Sequence, residues 1–162
     1  MQSHKMFLED IYEDPFYLIA IYASIDEYRM AYLLNKLLQL RLKRETRDVD
    51  LSYKNFQAMY ALYSYKDARN HSTYHLVSNK FKGEAIKILS SGSLFKEEEV
   101  SPQEIHLVPE YKKADFFLKI EEGIDDKEFR VLVNKINQIS QVQAAHVVNI
   151  EKLKSKQNLI FE

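Results

Sequence analysis

Five basic residues, Lys36, Arg41, Lys43, Arg44 and Arg47, fall close together in the sequence and form the best candidate for a charged working surface. Arg41 and Lys43 are two apart. In an extended strand they project from one face, with Arg44 and Arg47 near its end. Such a cluster suits phosphates or an acidic protein partner; its plainer reading is a solvated surface. Tyr60, Tyr63 and Tyr65 could stack on nucleobases only if exposed, and they read better as sheet core or sheet edge. A second pair of charged residues, Glu110 and Asp115, flanks Lys112 and Lys113. A carboxylate inside an apolar run needs partners, so these acids are expected to bond backbone or lysine. The alternative is that Pro109, Glu110 and Asp115 line a ligand or partner groove.

Catalytic and metal-binding patterns do not assemble. His71 and His75 are four apart, but on a predicted turn and strand, where that spacing does not share a face. No His-Glu-x-x-His occurs, and His4, His106 and His146 stand alone. The three glycines are too scattered for a phosphate-binding loop, and Gly-x-Ser-x-Gly is missing. The helix starts at Ser24 and Asp125 offer amides to an anion, but Asp26 and Asp126 put negative charge there. Without cysteine there is no thiolate ligand, thiol nucleophile or disulfide. An enzyme would have to draw on scattered Asp, Glu, His and Tyr. The expectation is a protein with no cofactor.

The 162 residues fit one domain, 1–162, with an irregular segment around 80–105. The hydrophobic fraction of 46% supports a sizeable core, and a net charge of -1 gives no overall pull toward nucleic acid or anionic lipid. No apolar run approaches a membrane span. The start of the chain, with Glu9 and Asp10, lacks the basic and apolar regions of a secretory signal. Cytoplasmic location without membrane contact is expected.

The elements that must carry these residues read as follows. Phe16–Ala23 is continuously apolar, as in a strand buried on both faces. Ser24-x-x-Glu27 matches a capping box for a helix to about Gln39, with Tyr28, Ala31, Tyr32, Asn35 and Leu38 as its stripe and Leu34 and Leu37 widening it. Leu40–Glu45 alternates like a half-exposed strand. Residues 47–55 read as loop, Phe56–Tyr65 as strand, Lys66–His71 as turn and Thr73–Ser78 as the hairpin partner. A short helix around Glu84–Leu89 and a solvated acidic run at Glu97–Glu99 complete the middle. Ala114–Ile120 is a strand, followed by a turn eased by Gly123. A second capping box, Asp125-x-x-Glu128, opens a helix with Phe129, Leu132, Val133, Ile136 and Ile139 on one face. A last strand spans Gln143–Ile150, before a tail that ends apolar.

Both ends therefore repeat strand, capped helix, strand. The fold class is α+β: a two-layer sandwich with two main helices on a mixed, largely antiparallel sheet, ferredoxin-like or ACT-like with extra central strands. A three-layer α/β arrangement is the alternative.

Val108-Pro109-Glu110, three residues, then Ala114-Asp115-Phe116 resembles the signature of the IPExxxVDY family of uncharacterised bacterial proteins. Valine replaces isoleucine, alanine replaces valine, and phenylalanine replaces tyrosine with loss of a hydroxyl. Tyr28–Lys36 and Lys154–Phe161 also look similar to that family's flanking regions, so the likeness extends over nearly the whole chain. It implies a single bacterial domain and brings no catalytic residue or cofactor.

The functional expectation is a non-enzymatic interaction or structural module. Its partner is a second copy, forming a homodimer through sheet edges or faces, or another protein. A small-ligand-binding regulatory domain of ACT-like type is the first alternative. RNA binding through Arg41, Lys43, Arg44 and Arg47 is the second.

Overall fold

The structure, a computed structural model, describes residues 15–53, 57–83 and 103–161. In chain order the elements are β1 (Phe16–Tyr22), α1 (Glu27–Leu38), β2 (Lys43–Arg44), β3 (Val49–Ser52), β4 (Gln57–Tyr60), β5 (Leu62–Asp67) and β6 (Ser72–Ser78). There follow β7 (Lys80–Gly83), β8 (Gln103–His106), β9 (Phe116–Glu121), α2 (Asp126–Asn137) and β10 (Ala144–Val147). Single 3-10 turns occupy Pro109–Tyr111, Ile150–Lys152 and Lys156–Leu159.

Six strands form one sheet in the order β10-β1-β9-β6-β5-β2, and every pairing in it is antiparallel. The frame β1-α1-β6-β9-α2-β10, with spatial order β10-β1-β9-β6, is the ferredoxin-like pattern. β5 and β2 widen it beyond β6. The insertions leave the frame at two places. Residues between α1 and β6 supply β2, β5 and the β3-β4 hairpin, and those between β6 and β9 supply the β7-β8 pair.

Both helices lie on one face, where Ile19, Ile21, Leu76, Leu118 and Ile120 meet Met30, Leu34, Phe129, Leu132 and Ile136. The other face is covered too. Leu18, Ala20, Val77 and Phe117 pack there against Ala58 and Tyr60 of β4, Leu107, Val108 and Leu159. A strand central to such a sheet has no wet side, which is why Phe16–Ala23 reads as an unbroken apolar run rather than an alternation. The middle insertions and the last residues thus add a layer beneath the helix-on-sheet sandwich.

Several local expectations are corrected. α1 is capped by Asp26, not Ser24, and makes no side-chain cap bond. Its buried residues are Met30, Ala31 and Leu34, while Tyr28 and Tyr32 stay in solvent. The stripe is therefore rotated by about a quarter of a turn or less from the one expected, and Asn35 bonds backbone instead of packing. The supposed loop 47–55 contains β3, paired with β4. Pro109 opens a 3-10 turn rather than entering a strand directly, although Val108 is extended as expected. The Asp125–Glu128 capping box is complete in both directions. Gly123 lies at φ +64°, and a Cβ there would stand 2.0 Å from the Asn70 carbonyl oxygen, so the turn accepts only glycine. The helix expected around Glu84–Leu89 and the run Glu97–Glu99 lie outside the described residues. No helix among the described residues is long and apolar enough to cross a membrane.

Candidate functional site

The signature segment is stitched from several sides. Asn79, fully buried after β6, donates through Nδ2 to the carbonyls of Tyr111 and Ala114, both at 2.9 Å, and its Oδ1 accepts from Val108 N at 2.8 Å. Its own backbone donates to Asp115 O and accepts from Leu107 N. One asparagine thus holds the turn from Leu107 to Asp115. A buried amide satisfied at each atom is a strong conformational constraint.

The two acids are used differently. Asp115 Oδ2 accepts from Ala23 N at 2.8 Å, and its Oδ1 pairs with Lys80 Nζ at 2.9 Å. Lys80 also reaches Glu104 at 3.8 Å, and Glu104 meets His106 at 3.0 Å. Glu110 faces the C-terminal residues instead, accepting from Lys154 N, Ser155 N and Ser155 Oγ at 2.9, 3.1 and 2.8 Å. Burial works to raise its pKa, but these hydrogen bonds outweigh it and hold the carboxyl below its ordinary value. Glu110 and Asp115 therefore serve separate joints. Asp115 alone lines a cleft of about 470 Å³, with Ser24, Asp26, Arg29, Lys80 and Glu104.

The basic cluster is only partly free. Arg44 pairs with Asp48 and lies over the Tyr63 ring at 5.7 Å. Lys36, Arg41, Lys43 and Arg47 are exposed and have no ion pair among the described residues. Beside them α1 carries Tyr28 and Tyr32, 64% and 61% exposed. These two rings and Asn35 recur at helical i, i+4, i+7 spacing, so they share one flank. Tyr60 and Tyr63 are buried, as a sheet role requires, and Tyr65 is half-buried and stacks with Tyr74.

Asn35 reveals what the sequence hid. Its side chain donates to Leu42 O at 3.1 Å and accepts from Leu42 N at 2.8 Å. Asn137, at the end of α2, makes the same pair of bonds with Ala145, at 3.0 and 2.8 Å. In an antiparallel ladder alternate residues turn their amides outward. Glu45 N bonds Leu62 O, so Leu42 faces away from β5; Val148 N bonds Leu18 O, so Ala145 faces away from β1. Each outer edge of the sheet therefore has one outward amide pair taken by a helical asparagine. An asparagine late in a helix, a few residues before a strand, was the signal available in the sequence. Asn35 was instead read as part of an apolar stripe.

Beneath the C-terminal residues lies a polar row across the sheet. Ser64 Oγ and His75 Nδ1 are 2.8 Å apart, and Lys119, 5% exposed, donates to Leu159 O and pairs with Glu121 at 2.8 and 2.7 Å. The Phe16 and Phe161 rings flank the Lys119 ammonium at 4.6 and 5.2 Å. His75 Nε2 stands 4.0 Å from Glu121, too far for the hydrogen bond that would orient a catalytic base, and Phe161 covers its ring. Burial lowers the His75 pKa; Glu121 opposes this and Lys119 reinforces it. These groups form a satisfied internal network.

Among the other histidines, His71 sits exposed in the β5-β6 turn and His146 packs edge-on to Tyr22. No group of three metal-ligating side chains gathers among the described residues. No family model, no curated protein and no solved structure matches the chain.

Proposed function

We propose that this protein is a non-catalytic interaction module that receives an acidic protein partner on the outer flank of α1 and the basic segment after it. The carrying observation is the pair Tyr28 and Tyr32, two large rings left in solvent on the helix that carries Lys36 and leads into Arg41 and Lys43. Tyrosine brings contact area at little entropic cost and is enriched at interfaces. The unpaired cations around it favour a partner of opposite charge.

Self-association is the second reading. The outward amide pairs of Leu42 and Ala145 are taken and both sheet faces are covered, which favours this same flank over edge pairing. A two-fold interface sets the same patch of both copies against itself. Lys36, Arg41 and Lys43 of both copies would then bring like charge into one interface, which favours the acidic partner. On this reading the likeness to the IPExxxVDY signature is a likeness in a folding device, since Glu110 and Asp115 fasten chain segments. The test is salt-dependent capture of a partner by the native protein and by a Tyr28→Ser/Tyr32→Ser variant. Retention of the same proteins by both would sink the proposal, and light scattering on the same samples decides the homodimer.

A further inference from the structure

A second surface carries an inference of its own. Between the end of α1, the β5-β6 turn and α2 lies a cavity of about 520 Å³, within the usual range for small-molecule sites. Its apolar lining comes from Leu38, Leu40, Tyr74, Ile124, Val131 and Leu132. Val131 is 47% exposed, an apolar side chain that no neighbour covers fully. Lys127, Val131 and Lys135 recur every fourth residue along α2, so a lysine is anchored about one turn, roughly 6 Å along the axis, to either side of the valine. Neither lysine has an ion pair among the described residues.

The acids at the same rim are committed elsewhere. Asp125 accepts from Glu128 N at 2.7 Å, and Glu128 accepts from Asp125 N at 3.0 Å. Their reciprocal bonds fix both carboxylates against the start of the helix. A second cavity of about 600 Å³ shares Leu38, Leu40, Asn70 and Tyr74 with the first and adds Arg41, Lys66 and Arg69. Over the joined groove the cations outnumber the carboxylates, and the carboxylates that are present, Asp67 included, already accept hydrogen bonds.

We propose that this groove binds a small anionic amphiphile, with its apolar body on Val131 and Leu132 and its acid group at Lys127 or Lys135. An apolar floor alone would accept any hydrophobe; the free ammonium groups select an anion and disfavour a cation of the same shape. The site shares Arg41 with the α1 flank but not its rings, because neither Tyr28 nor Tyr32 lines it.

Decanoate, decyltrimethylammonium and decanol, each titrated below its aggregation threshold into the full chain and followed by amide chemical shifts, test this. Saturable decanoate shifts confined to residues of the groove are expected. Affinity should weaken about fivefold in the Lys127→Gln/Lys135→Gln double variant, the scale of one exposed ion pair. It should also fall as salt is raised, and binding should be lost in Val131→Asp, a change at an exposed site that leaves the fold intact. Tyr28→Ser/Tyr32→Ser should bind decanoate normally, so failure here and failure of the partner surface are separable. Equal binding of the cationic probe, or decanoate binding unchanged in Val131→Asp, would overturn the proposal. So would an absence of saturable shifts.

Discussion

Glu110 Oε1 accepts the Ser155 hydroxyl at 2.8 Å, which ties the signature turn to residues 45 positions further on. Its other oxygen takes the amides of Lys154 and Ser155. Because these bonds hold the Glu110 pKa below its ordinary value, they stabilise the fold above the carboxylate range. That contribution is lost as pH falls through the lowered value. The protection factors of the Lys154 and Ser155 amides, taken relative to the intrinsic exchange rate at each pH, should therefore fall in acid before global unfolding. Glu110→Gln should exchange faster at neutral pH and lose most of that acid dependence. Unchanged protection in the variant would show that the carboxylate does not hold this joint.

His75 acts in the same direction. Burial keeps its imidazole neutral, so the unfolded chain takes up a proton more readily than the folded one. Stability should decline as pH drops below the ordinary histidine value of 6.5, and His75→Gln should reduce that slope. Denaturant melts of both proteins across that range check it; equal slopes would contradict it.

Lys119 is the most exacting buried group. Its ammonium meets the Leu159 carbonyl and Glu121 between two aromatic rings. Lys119→Ala leaves those acceptors without their donor and should cost about 2–4 kcal/mol. Lys119→Met, which keeps the stem and removes the charge, should cost less. Chemical denaturation of both variants measures this.

The asparagines at the two sheet edges give a different outcome. Asn35→Ala removes two hydrogen bonds and Asn137→Ala three, its bond to Val133 O included; each should cost about 1–2 kcal/mol. The double variant should also self-associate, because it presents bare strand edges. Light scattering at matched concentration reads the difference. A double variant as monodisperse as the parent would mean that these side chains do not guard the edges.

How much of this was legible in the sequence follows from where the information lies. α2 could be read because local rules agree there: a complete capping box at Asp125 and Glu128 precedes Phe129, Leu132 and Ile136 at helical spacing. Phe16–Ala23 could be read as doubly buried, yet the element covering its second face could not. That cover comes from Tyr60, Leu107 and Leu159, which are remote in sequence. α1 misled because Tyr28 and Tyr32 look like core residues by type and stand in solvent, whereas Met30 and Leu34 are inside. Glu110 and Asp115 were sound choices for acids bonded to backbone and lysine, but their targets, Ser155 and Ala23, could not be paired from one sequence. The basic cluster was visible; that Asp48 holds Arg44, while the others have no ion pair among the described residues, depends on the turn between them.

The most direct measurement of the proposed function is a quantitative affinity capture from native extract. Parent, Tyr28→Ser/Tyr32→Ser and Val131→Asp proteins would be compared, with and without nuclease and at two salt concentrations. The account expects an acidic protein held by the parent and by Val131→Asp, released by salt, indifferent to nuclease and missing from the tyrosine variant. A capture profile identical for the parent and the tyrosine variant, or one that disappears with nuclease, would contradict it.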